Sequence, residues 1–123
     1  METQTLVEEK CPTKTQWWIN AGAILVDVRE PAEVAIVDFD VPNIIHIPLS
    51  EFEERYHEIP MDKQIVTVCE NGTRSLRAAG FLINHGYTKV FNMKHGMIRW
   101  LQRGFPAIGD TAVPEGSVSC CSH

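Results

Sequence analysis

The chain has 123 residues, 44% of them hydrophobic and 22% charged, with a formal net charge of -5, which fits one globular domain with a single core. That charge, with no run of Lys and Arg, argues against nucleic-acid binding, because phosphate affinity needs clustered cations. Apolar stretches are far shorter than the ~20 residues of a spanning helix, so no membrane span is expected. Met1 to Lys10 lack the basic start and apolar middle of a signal peptide, and the expected location is cytoplasmic. In that reducing compartment Cys11, Cys69, Cys120 and Cys121 are expected as thiols rather than as a disulfide framework.

Taken in chain order, Thr13-Lys14-Thr15-Gln16 has the capping-box form and predicts a short helix carrying Trp17 and Trp18, stopped at Gly22. Ala23 to Val28 is nearly all apolar, as in a strand covered on both faces of a parallel sheet, and Pro31 closes it. From Glu33 to Asn43, Val34, Ile36 and Val37 give way to Asp38, Asp40 and Pro42, which reads as a short helix followed by a turn. Ile44 to Ile47 reads as a strand. Ser50-Glu51-Phe52-Glu53 is a second capping box, opening a helix through Glu58 with Phe52, Tyr56 and Ile59 inward.

The β-branched run Ile65-Val66-Thr67-Val68 predicts a central strand that delivers Cys69 at its carboxyl end. Leu76, Ala79, Gly80 and Ile83 share one face of a following helix that Gly86 can end. Lys89 to Asn92 is a last strand candidate and Gly96 to Gln102 a last helix. This alternation predicts an α/β fold. The expected organisation is an N-terminal extension over 1–12, a domain over 13–108 and a flexible tail over 109–123.

A cysteine between a buried strand and a helix sits at the carboxyl edge of a parallel sheet, where open α/β folds bind their ligands. In Cys69-Glu70-Asn71-Gly72-Thr73-Arg74-Ser75, Gly72 lets the backbone curl its amides inward, and the helix adds its positive end. Such a nest favours a thiolate over a thiol, with Arg74 as a nearby cation. Arg74 has two readings, binding a donor's charge or bracing the loop by bonding to loop carbonyls or to an acidic neighbour.

Leu25-Val26-Asp27-Val28-Arg29-Glu30-Pro31, then Ile47-Pro48-Leu49, then the Cys69 to Ser75 loop, then Gly96-Met97-Ile98-Arg99-Trp100 with Gly104-Phe105-Pro106, resemble the rhodanese-like sulfurtransferases, over about 13–108. The resemblance implies a three-layer α/β fold with a central, mostly parallel five-stranded sheet flanked by helices. It implies thiosulfate sulfurtransferase activity through a persulfide on Cys69, with Glu70, Asn71, Gly72, Thr73, Arg74 and Ser75 as the substrate-binding loop. The implied partners are a small sulfur-containing anion or persulfide donor and a thiol or cyanide acceptor, which could be a protein; neither cofactor nor metal is expected.

Two departures stand out. Where the family usually carries Gly-His-Ile-x-Gly-Ala, the chain reads Asp40-Val41-Pro42-Asn43-Ile44-Ile45-His46, so altered backbone geometry is expected there. Glu70 places an acid beside the cysteine, which would repel dianionic thiosulfate if it pointed inward. The rival readings are a sulfur carrier for a protein partner, or a phosphatase or arsenate reductase; the four residues between Cys69 and Arg74 disfavour the latter, whose loop places five there.

Cys120, Cys121 and His123 lack zinc spacing and read as tail, with sulfur transfer to that dithiol a further possibility. Cys11, Trp17, Trp18, Trp100, Asp27 and Arg29 are expected to be structural. His46, His57, His85 and His95 are expected at surface or capping positions.

Overall fold

A computed structural model describes residues 7–109 of the protein. In chain order its elements are β1 (Glu8–Lys10), α1 (Pro12–Asn20), β2 (Ile24–Asp27), α2 (Pro31–Ile36), β3 (Val37–Phe39), β4 (Ile44–His46), α3 (Phe52–Arg55), β5 (Ile65–Val68), α4 (Thr73–Asn84), β6 (Val90–Met93), α5 (Gly96–Gln102) and β7 (Ala107–Gly109). Five strands form the central sheet in the order β1-β6-β5-β2-β4, and every neighbouring pair is parallel. The expected three-layer α/β fold is the one observed.

The near-continuous apolar character of β2 and β5 follows from cover on both sheet faces. On one face Val26, Ile65 and Val90 pack with Phe52, Ala78, Ala79 and Leu82 of α3 and α4. On the other, Leu25, Val66 and Met93 pack with Ile19 of α1 and Met97 and Trp100 of α5. All four residues of β5 are buried. That placement puts its carboxyl end, and hence Cys69, in the middle of the sheet edge.

Several local readings are corrected. Helix α1 starts earlier than the Thr13–Gln16 box: Cys11 is its N-cap and Pro12 its first residue, a position where proline's missing N–H costs nothing. Pro31 opens α2 rather than merely closing β2, with Glu30 and Glu33 forming the reciprocal capping box. Ser50 does not cap a single helix; its hydroxyl donates to Glu30 Oε1 at 3.1 Å, and α3 is one turn flanked by 3-10 turns over Leu49–Glu51 and Tyr56–Glu58. The inward face of α4 is Ser75, Ala78, Ala79 and Leu82. Leu76 is 37% exposed, because the stripe is rotated by one residue to place Ser75 against Cys69.

The turn expected after the short helix contains β3, which pairs antiparallel with β7 in the register Val37↔Gly109, Asp38↔Ile108 and Phe39↔Ala107. This pairing lies just before the stretch that lacks the two family glycines and joins segments distant in sequence. Glu8–Lys10, assigned from sequence to the N-terminal extension, is the edge strand beside β6. The tail candidates Cys120, Cys121 and His123 lie outside the described residues.

Candidate active site

Cys69 follows β5 directly and is fully buried. A buried atom that can accept hydrogen bonds needs donors in place of water. Three donors converge on it: Gly72 N–H at 3.1 Å, Ser75 N–H at 3.4 Å and the Ser75 hydroxyl at 3.4 Å. The amides belong to the entrance of α4, so its positive end points at the same atom. Asn71 Oδ1 lies 3.9 Å from Sγ and accepts from the Thr73 N–H at 3.1 Å and the Thr73 hydroxyl at 2.9 Å, closing the first turn as an Asx cap.

Inward amides require outward carbonyls, and the loop's carbonyls are held from behind. Met97 N–H donates to Cys69 O at 2.9 Å and Ile98 N–H to Glu70 O at 3.1 Å, so the entrance of α5 clamps the start of the loop. The approach is close: a Cβ on Gly96 would lie 2.2 Å from Cys69 O, and Gly96 has φ +54. Gly72 adopts φ +99, and a Cβ there would meet His95 N at 3.1 Å. Both glycines are required by backbone packed against backbone at left-handed torsions. His95, between β6 and α5, takes the unusual φ of 67 without being glycine.

Arg74 is bonded to an acidic neighbour outside the loop, and its charge also acts on Cys69 and Glu70. Its Nη1 and Nη2 each donate to one oxygen of Glu33 on α2 at 2.8 Å. The bidentate pair fastens the loop to α2. It raises the Arg74 guanidinium further above its ordinary value, and it holds the Glu33 carboxyl below the usual carboxylate range. Glu70 is half-buried, and its carboxylate makes no hydrogen bond or ion pair among the described residues.

Asp27 and Arg29 pair with each other: Arg29 Nη2 lies 2.8 Å from Asp27 Oδ2, and both side chains are fully buried. The carboxylates of Asp27 and Asp38 and His46 Nε2 come within 4.8 Å of one another, yet the Arg29 guanidinium already occupies that cluster. Trp100 is core and edge-on to Phe39; Trp18 packs on Phe91, and Trp17 is exposed.

Sequence reasoning missed three supports of the loop. Glu33 lies on α2, within the stretch Glu33 to Asn43 where the sequence sets no clear helix bounds. Thr67 and Asn92 are the other two, and a polar residue inside an apolar strand run was the available signal for both.

A buried cysteine in a cradle of amides, at the carboxyl end of the middle strand of a parallel sheet, defines a cysteine-loop α/β domain. The chain belongs to the rhodanese-like domain family, whose model matches residues 12–103. It is 37% identical over 93 residues to a sulfurtransferase of Allochromatium vinosum, covering 76% of this chain and 81% of that protein. It is 32% identical over 89 residues to the thiosulfate sulfurtransferase GlpE of Pseudomonas syringae, covering 72% and 82%. The structure of a rhodanese-related protein from Thermoplasma volcanium superposes with a TM-score of 0.70 at 26% identity, covering 83% of this chain and 96% of that one. Among the described residues no helix is long and apolar enough to cross a membrane.

Proposed function

We propose that the protein transfers sulfane sulfur through a persulfide on Cys69. The observation that carries this is the convergence of the Gly72 and Ser75 amides and the Ser75 hydroxyl on a single sulfur. With thiosulfate as donor, the Cys69 thiolate attacks the outer sulfur, the Cys69–S bond forms, and the old S–S bond breaks with its electron pair leaving on sulfite. A thiolate or cyanide acceptor then attacks the outer sulfur and returns Cys69 as thiolate. The same donors that steady the thiolate steady the persulfide anion.

The position of Arg74 bears on both donor and rival chemistry. A loop built for phosphate or arsenate directs its arginine at the oxyanion, whereas here Arg74 is committed to Glu33. Thiosulfate entering the site would meet amide dipoles and the unpaired Glu70. A persulfide donor with less charge, including one on a protein, suits that field better.

Steady-state turnover with thiosulfate and cyanide, set beside single-turnover loading from a low-molecular-weight persulfide, tests the reading. Loading from the persulfide with slower turnover from thiosulfate is expected. Stoichiometric loading with negligible turnover on any small acceptor would mark a sulfur carrier for a protein partner. Dephosphorylation of an aryl phosphate without sulfur loading would overturn sulfur transfer.

A further inference from the structure

The register of the sheet places Glu9, Asn92 and Thr67 side by side on β1, β6 and β5. Asn92 and Thr67 are fully buried, in the sheet layer that α4 covers. Asn92 Nδ2 donates to Gly72 O at 3.0 Å and to Glu9 Oε2 at 2.9 Å. The Thr67 hydroxyl lies 3.0 Å from Ser75 O and 3.1 Å from Asn92 Oδ1. The amide orientation follows: reversing it would set Oδ1 against the Gly72 carbonyl and the Glu9 carboxylate, two acceptors.

Gly72 and Ser75 are the two residues whose N–H groups reach Cys69 Sγ. Glycine has the softest torsions in the loop, so a bond on its carbonyl restrains the peptide plane beside the inward amide. We propose that the row Glu9–Asn92–Thr67 is a positioning device: Asn92 holds the Gly72 carbonyl, and the single Thr67 proton, shared between Ser75 O and Asn92 Oδ1, ties that amide to the first turn of α4, so that the Gly72 and Ser75 amides stay aimed at the sulfur. Asn92 is its central residue. Glu9 takes the second Asn92 donor and orients the amide from the sheet edge, which couples β1 to the chemistry of a loop two strands away. None of the three touches the sulfur or the donor; they act through the backbone. The inference rests on the Cys69 persulfide reading for its rate effect, but its effect on the ultraviolet signal of Cys69 stands apart from that reading.

The test compares Asn92→Leu, Glu9→Ala and Glu9→Gln in the full chain. Two quantities are read: the thiolate ultraviolet absorbance at neutral pH, as a difference from the same variant carrying Cys69→Ser, and the single-turnover rate of persulfide formation from thiosulfate. Arg74 and Glu70, the charged side chains of the loop, are unchanged in every variant. Asn92→Leu, of similar volume, is expected to lower the thiolate signal and slow loading on the order of tenfold, as loss of a supporting shell commonly does. Glu9→Ala is expected to do the same by a few fold, and Glu9→Gln, which keeps the acceptor, to recover most of it. A purely structural role would lower the melting temperature and leave the thiolate signal intact. Folded Asn92→Leu with an unchanged thiolate signal would overturn the proposal. Should that variant fail to fold, Glu9→Ala matching the unsubstituted protein in both quantities would overturn it. If the unsubstituted protein forms no persulfide, the functional reading falls while the thiolate comparison still decides the positioning role.

Discussion

Two arginine–carboxylate pairs stand at the carboxyl end of the sheet and have opposite surroundings. Arg29–Asp27 is sealed in the core with no exposure on either side chain, whereas Arg74–Glu33 leaves about a third of each side chain in solvent, 32% and 33%. In the core pair the Arg29 guanidinium sits 5.3 Å from the centre of the Phe39 ring, and its Nη1 has no hydrogen-bond partner. The pair itself is local to the end of β2, Arg29 reaching β3 through Asp38 at 3.9 Å and the Phe39 ring, and a buried pair is intolerant of losing one member. An exposed pair contributes little stability, but this one decides where a loop cation points. Position relative to the sulfur, and not bond geometry, separates a folding role from a functional one.

The largest effect is expected in the core. Asp27→Ala leaves buried Arg29 with only the Asp38 carboxylate, 3.9 Å away, as counter-charge and should lower stability by about 3–5 kcal/mol. Denaturant unfolding measures this, and a loss near that of Glu33→Gln would remove the distinction between the pairs. Next comes Gly96→Ala, which touches neither pair. Its Cβ would collide with Cys69 O and Glu70 O, so about 1–3 kcal/mol of strain is expected, with sulfur loading lost in the folded fraction. Unimpaired loading would show that the clamp from α5 does not shape the cradle.

Smaller in stability but directed at function is Glu33→Gln, expected to cost at most about 1 kcal/mol because the pair is partly solvated. It releases the Arg74 charge toward the loop, and kcat/KM for thiosulfate should rise severalfold relative to that for a neutral persulfide donor. Glu70→Gln should shift the same ratio in the same direction by removing the acid. If neither moves it, charge at this site does not select the donor.

The smallest effect is with pH. The folded value of Glu33 lies below its unfolded one because of the Arg74 bond. Its contribution is therefore complete above the ordinary glutamate range and lost as pH falls through the lowered folded value. The stability difference between the protein and Glu33→Gln should accordingly close only in that acidic window, and a difference that persists below it would point to another source.

How much of this was legible in the sequence follows the range of each interaction. The runs at Ile24–Asp27 and Ile65–Val68 announce buried strands by composition alone, and Cys69, Gly72 and the helix that follows declare the nest by order along the chain. Helix α5 was readable from the apolar content of Gly96 to Gln102, but not its service as the clamp on Cys69 O and Glu70 O. The β3–β7 ladder depends on a partner at the far end of the domain and has no local signature. The face of α4 was misread by one residue because Ser75, a polar residue, is buried against a sulfur and not against apolar side chains. Arg74 offered two roles from sequence, and its partner Glu33 arrives from α2, 41 residues away, with no local signal to announce it.

The central claim is that sulfur is carried on Cys69. Peptide mass spectrometry after exposure to thiosulfate or a small persulfide, with and without Cys69→Ser, tests it most directly. One added sulfur on the Cys69 peptide, absent in Cys69→Ser, is the result expected; added sulfur on a different cysteine, or loading that survives Cys69→Ser in full, would contradict it.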